Sequence, residues 1–444
     1  MNGTVRRGAD GSVSWHAPGS AVLGPVSFVV GGISVIVDAA APEQVIDLGA
    51  RDAASLRDVV AGFADATVVD AILDAEDGGV VPGPVLVDGI ARLATVSAVD
   101  AIHLGDLDDA VLLLDAAYAR AAAGDPDAAD HYALAASVPD RIVDEIESAD
   151  YLGPLLAPLA DAIGFAPTGI LSVGERNRLL TALRLRTERV DAEWQVLLAT
   201  EADSARDLAL HLGGIEAVVL QVADLRALPP RLLMFSAPEE AEVEVVANPD
   251  GTVEVAAVLR PDIDADTLLA DGIFAVAADP GTGDVLAFAP ASISDGRLSA
   301  RIQTPNGPNV RCAFLVSSTD LAALRLDPLG IALTRIDRHC RYAWTRHRTA
   351  GAVLAGIGAA DQESEIARAA AVAESARQSA TEAVDNARML IRQLARRHRS
   401  EPIASALAEY RDAIDSLAES ISAPPATDGP TGPTMAELHE VALR

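Results

Sequence analysis

Between Ile366 and Leu394, small and apolar residues recur at alternating steps of three and four: Ile366, Ala369, Ala373, Ala376, Ala380, Ala383, Ala387, Leu390 and Leu394. Only an α-helix gathers such positions into one stripe, and a stripe of this period calls for a second helix along its length. Most of the stripe is alanine, which buries little area, so that helix must come close. A second stripe follows at Ile403, Leu407, Tyr410, Ile414, Leu417 and Ile421. Pro402 stands where a first helical turn tolerates proline, and Arg396, Arg397, His398 and Arg399 place cations at the end of the first run. The sequence therefore predicts an antiparallel helical hairpin, with the larger seam of the second helix on the small seam of the first. Such a hairpin either packs on its own domain or serves to self-associate or dock a protein partner.

All 34 basic positions of the 444 residues are arginine. Without lysine, a phosphate-binding Walker loop, a kinase-type site and Schiff-base or pyridoxal chemistry are excluded. A high-GC bacterial coding bias accounts for this composition; selection against a lysine-directed modification, such as a conjugated degradation tag, is the alternative. The net charge of -31 repels nucleic acid and anionic membrane surfaces. Aromatic residues are 3%, so the core is expected to be aliphatic. Cys312 and Cys340 are expected to be buried thiols, not a disulfide framework. No apolar run follows Arg6-Arg7, and Ala21–Val37 is interrupted by Gly24, Pro25, Gly31 and Gly32. Neither a signal peptide nor a membrane span is read, and a cytoplasmic location is expected.

The chain reads as a multidomain α+β protein. Residues 1–97 form a mixed α/β region, with short strands at Ser12–Trp15, Val26–Val30, Ile33–Val37, Gln44–Leu48 and Val80–Val87 and a helix over Asp52–Leu73. Residues 98–236 are mainly helical: Asp106–Ala123, then about 127–149, 152–164, 173–188 and 190–212, the last closed by Gly213-Gly214. Strands are expected at Ile215–Ala223 and Arg231–Phe235. Residues 237–320 predict a small immunoglobulin-like β-sandwich. Glu242–Ala247 and Thr252–Leu259 alternate across the turn Asn248–Gly251, and further strands fit Ile273–Ala278, Val285–Pro290, Leu298–Gln303 and Cys312–Ser317, with a turn at Pro305–Pro308. Residues 321–422 hold an arginine-rich helix and the hairpin.

That arginine helix carries Arg335, Arg338, Arg341, Arg346 and Arg348. On a helical projection Ile336, Cys340, Ala343, Trp344, His347 and Leu354 lie on one side and all five arginines on the other. The arginines either pair with acidic residues of the same chain or form a site for an anion or an acidic partner. Cys340 with His347 is the one nucleophile–base pairing on a common helical face, but the thiol is read as facing the core. The spacing of Cys312, His339, Cys340 and His347 does not suit zinc, and Asp262-Ile-Asp264-Ala-Asp266 lacks the glycine and glutamate of a calcium loop. No metal or cofactor is expected, and no catalytic residue is assigned.

Residues 423–433 read as a disordered linker. After it, Thr434 and Glu437 form a capping box at the head of a short amphipathic tail helix over 434–444, with Met435, Leu438, Val441 and Ala442 as candidate docking residues. The helix either latches onto this protein or serves as a motif for another. The sequence thus favours a non-catalytic protein-binding or scaffold component of a bacterial cytoplasmic assembly. The alternatives are an enzyme, such as a hydrolase, with its site in residues 1–236, or an effector latched by its tail.

Overall fold

The computed structural model describes residues 2–17, 23–148, 153–167, 169–193, 218–229, 231–248, 250–261, 272–304, 309–319, 321, 324–357, 363–400 and 402–443. Most of the helix expected over 190–212, its Gly213-Gly214 end, the Asp262–Asp266 run and the Pro305–Pro308 turn lie outside these residues. The fold is mixed α and β, with antiparallel sheets and a C-terminal helix.

The first sheet contains β1 (Asn2–Arg7), β2 (Val13–His16), β3 (Pro25–Val30), β4 (Ile33–Asp38), β5 (Ala41–Ala50) and β6 (Val80–Pro82), in the order β3-β4-β5-β2-β1-β6. Strict alternation explains its one-sided core: Val26, Phe28 and Val30 of β3 and Ile33, Val35 and Val37 of β4 are buried, while their neighbours face outward. Gly31 and Gly32 turn β3 into β4 with φ of 55° and 77°, a conformation that disfavours side chains. Strand β1 was not anticipated from the sequence. The single helix expected over Asp52–Leu73 is instead α1 (Ala53–Asp58), a 3-10 turn and α2 (Ala66–Asp74). Asp65 caps Thr67 and starts a new helix there.

Helix α3 (Asp88–Ile102) runs straight across the boundary expected at 97/98. It packs on the sheet and on α4 (Asp109–Ala122). A Cβ on Gly89 would stand 2.4 Å from the Ala123 backbone nitrogen, so the two helices meet at a contact that only glycine allows. The run read as one helix over 127–149 divides into α5 (Ala128–Leu134) and α6 (Val138–Ser148). Then come α7 (Gly153–Phe165) and α8 (Val173–Glu193).

A β unit follows: β7 (Val218–Gln221), β8 (Val243–Ala247), β9 (Thr252–Val258), β10 (Ile273–Ala278), β11 (Val285–Pro290), β12 (Ser292–Ser294), β13 (Arg297–Gln303) and β14 (Arg311–Val316). They form two antiparallel sheets, β12-β13-β9-β8-β7 and β11-β10-β14. The inner faces share one apolar core, including Val245, Val255, Ile302, Ala275 and Phe314. The strand expected at Arg231–Phe235 reduces to a single bridge, Leu233 to Leu259.

Three long helices complete the chain: the arginine helix (Pro328–Ile357), the alanine helix (Glu363–Arg397) and a shorter third (Ile403–Ser422). The seam residues Ala373, Ala376, Ala380, Ala383 and Ala387 are buried. The alanine helix lies mainly along the arginine helix and secondarily along the third helix, so its closest companion precedes it in sequence. One continuous core runs from Val5 in β1 through α1–α8 to these helices and on to Leu438. The β unit, with its own core, is therefore an insertion into one helical body, and regions 1–97, 98–193 and 324–443 share a single interior.

Candidate functional site: the seat of the C-terminal helix

The tail helix (Met435–Leu443) begins where the sequence placed it. Thr434 donates its N–H to Glu437 Oε2 at 2.8 Å, and its Oγ1 accepts from the Glu437 N–H at 3.2 Å, closing the capping box. What local sequence could not show is that this cap lies in the protein interior. Thr434, Met435, Ala436, Glu437 and Leu438 are all buried, in a groove formed by α4, α7 and the arginine helix.

Polar anchors hold the first turn from two sides. Arg348 of the arginine helix donates Nε to Glu437 Oε1 and Nη2 to Glu437 Oε2, both at 2.7 Å, and reaches the Gly432 carbonyl at 2.9 Å. Opposite, Arg92 of α3 forks onto Asp115 of α4 at 2.9 and 2.6 Å and donates to the Pro433 carbonyl at 3.0 Å. Asp115, fully buried, also accepts the Met435 N–H at 2.8 Å, so a carboxylate sits at the positive end of the tail helix. The His103 ring lies 3.8 Å from Glu437, and His439 meets Glu145 of α6 at 2.9 Å. Burial alone would raise the Glu437 carboxyl; the Arg348 charge and hydrogen bonds, with His103 and the Thr434 N–H, outweigh it and hold the group down to about 2. Gly351 gives the connecting segment room, since a Cβ there would stand 2.7 Å from the Ala426 carbonyl oxygen.

The five arginines do not form one outward face. Arg338 is buried: it forks onto Glu242 and donates to the carbonyls of Pro238 and Glu240, with Phe235 under its guanidinium at 4.9 Å. Arg341 is buried near Asp337 and Ala101, Arg348 serves the tail, Arg346 is half-buried, and Arg335 is exposed. The reading of one buried and one arginine-bearing side is corrected: the segment leading into β8 covers Arg338 with Glu242 and a row of carbonyls, α3 meets Arg341 and the tail meets Arg348. Met435 and Leu438 are likewise buried and Val441 half-buried, while the Ala442 side chain lies outside the described set.

Cys340 is fully buried, and burial raises its thiol far above the ordinary range; Cys312 is pushed up to about 12 for the same reason. His347 is driven down to about 4 by burial and by the charges of Arg348 and Arg377. Neither thiol is prepared to ionise. Among the described residues no group of three or more His, Cys, Asp or Glu is placed to hold a metal ion, and no helix is long and apolar enough to cross a membrane.

A cleft of about 530 Å³ opens between α6 and α8, lined by Ser137, Asp140, Arg141, Glu145, Glu175 and Arg178. Three of its four carboxylates are engaged: Arg178 bonds Asp140, Glu145 receives Arg141 and His439, and Glu175 accepts from Ser172 N–H at 2.9 Å. The cleft thus adjoins the tail through Glu145. No protein-family profile, no curated protein and no solved structure matches this chain.

Proposed function

We propose that the protein is a non-catalytic protein-binding component, cytoplasmic, whose tail helix is an exchangeable latch. The observation that supports this is the seat: a short helix, tethered by an irregular segment over 423–433, docks in a groove through two apolar anchors and two arginine–carboxylate clamps. That is how amphipathic helices from partner proteins dock into grooves. The tether gives the tail a high effective concentration, so the seat stays closed until a competing helix of higher affinity arrives. In this reading the β unit is an immunoglobulin-like sandwich and the two last long helices a hairpin, together forming the platform that joins the assembly.

The test uses the full chain, a chain ending at Ser422 and a synthetic peptide of residues 433–444. The shortened chain is expected to stay folded by circular dichroism and to bind the peptide saturably, whereas the full chain does not. A folded shortened chain that ignores the peptide defeats the latch. So does a shortened chain that cannot fold, because the helix is then an ordinary core element.

The cleft between α6 and α8 supports a second reading, an enzyme of hydrolase type within residues 1–236. The pairing of Asp140 and Glu145 with Arg178, Arg141 and His439 favours the binding protein, because a general acid or base must be left free to exchange a proton.

A further inference from the structure

Where the β unit meets the arginine helix, five guanidinium groups share two carboxylates among the described residues, an excess of three positive charges in a chain of net charge -31. Asp337 accepts Arg325 Nη1 at 2.5 Å and stands 3.6 Å from Arg226 Nε, while Arg226 reaches Asp224 at 3.4 Å. Arg341, one turn further along the arginine helix, is buried and makes one long hydrogen bond, Nη1 to the Ala101 carbonyl at 3.5 Å. Arg311 of β14 donates Nη2 to the Val222 carbonyl at 2.9 Å and leaves its buried Nε without a partner. Arg335 stands exposed beside Arg311 and acts on its charge.

The imbalance is electrostatic as well as numerical. Burial lowers Arg311, Arg325 and Arg341; Asp337 opposes it at Arg325 and Arg341 without cancelling it, and like charges add to it, Arg335 on Arg311 and Arg226 on the other two. Buried guanidinium groups are ordinarily matched, because an unmatched buried charge is strongly destabilising. Arg338, on the same helix, shows the matched arrangement with Glu242.

We infer that this seam binds a small multivalent anion of phosphate type, either inorganic phosphate or the phosphate of a small ester. Planar guanidinium forks match phosphate oxygens in pairs. Arg341 is buried and Arg325 nearly so, which suits a small anion better than a flat protein surface. Arg226 and Arg335 form the open side. This inference does not depend on the latch.

The experiment is calorimetric titration of the full-length protein with sodium phosphate and, separately, glycerol phosphate, with sodium chloride at matched ionic strength as control. Wild type is expected to give a saturable heat with at least one phosphate compound, and whichever saturates names the source. The double variant Arg226→Gln with Arg335→Gln should bind about tenfold more weakly, since charge-assisted bonds are lost. The control pair Arg297→Gln with Arg301→Gln, on β13, should bind as wild type. No saturable heat, an equal response to chloride, or unchanged affinity in the Arg226/Arg335 variant overturns the proposal. Should that variant not fold, Arg226→Lys keeps the charge but loses the fork, and should weaken binding about threefold; unchanged affinity there overturns it equally.

Discussion

Two clusters of arginine flank the same helix and are built on opposite principles. At the tail seat, Arg348 and Arg92 face Glu437 and Asp115 one to one, and remaining N–H groups reach carbonyls of 431–433. At the β-unit seam, five arginines face two aspartates. Each place holds largely buried guanidinium groups, Arg348 and Arg92 at the seat and Arg341 and Arg325 at the seam, and the two differ in charge matching. A matched cluster holds two pieces of chain together and resists change. An unmatched one is incomplete until something negative arrives.

The comparison breaks most visibly at Asp115. Asp115→Ala strands the Arg92 guanidinium and the Met435 N–H in the interior, and is expected to cost about 3–5 kcal/mol in urea unfolding. A loss below about 1 kcal/mol would mean that the tail seat is no better matched than the seam.

Acid titration sharpens the contrast. The Glu437 carboxyl falls from an ordinary 4.5 to about 2 in the folded protein. Its contribution is therefore complete above the unfolded value and disappears as pH falls from about 4.5 through about 2. Glu437→Gln should flatten that part of the stability profile, measured by thermal unfolding between pH 6 and 2; an unchanged acid limb would show that the Arg348 clamp contributes nothing there. The smallest effect belongs to the seam. Arg226→Gln in phosphate-free buffer should shift unfolding by no more than about 0.5 kcal/mol, because it relieves crowding as well as removing bonds. A loss of about 2 kcal/mol or more would show that the cluster is structurally matched after all.

Periodicity carried much of the secondary structure. The alternation of Val243–Ala247 and Thr252–Val258 about Asn248–Gly251 is the antiparallel pairing observed, and the Thr434–Glu437 spacing is the cap observed. The buried alanines 373–387 fall on the stripe that the three–four spacing defines. What failed to show is long-range. Helix α3 is buried nearly all round, between the sheet and α4, so it offers no clean apolar stripe to read. The burial of Arg338 depends on Glu242, 96 residues earlier, and that of Glu437 on Arg348, 89 residues earlier. A helical projection assigns an arginine-rich face to solvent unless another element covers it, and no local pattern announces that a β unit will. The signal that could have helped was the acidic run Glu239, Glu240, Glu242 and Glu244 around the head of a strand, and the invasion of a hydrophobic tail helix by Glu437, His439 and Glu440.

The shared core has a consequence for the order of events during synthesis. Val5 and Leu438 belong to one interior, so the helical body cannot close until nearly the whole chain has left the ribosome, on the order of twenty to ninety seconds after β1 emerges at ordinary elongation rates. The β unit, built from neighbouring strands, is complete long before. During that interval the first sheet and α3 expose apolar surface beside a finished domain, and a nascent chain of this design is the stage at which a holding chaperone has most to do.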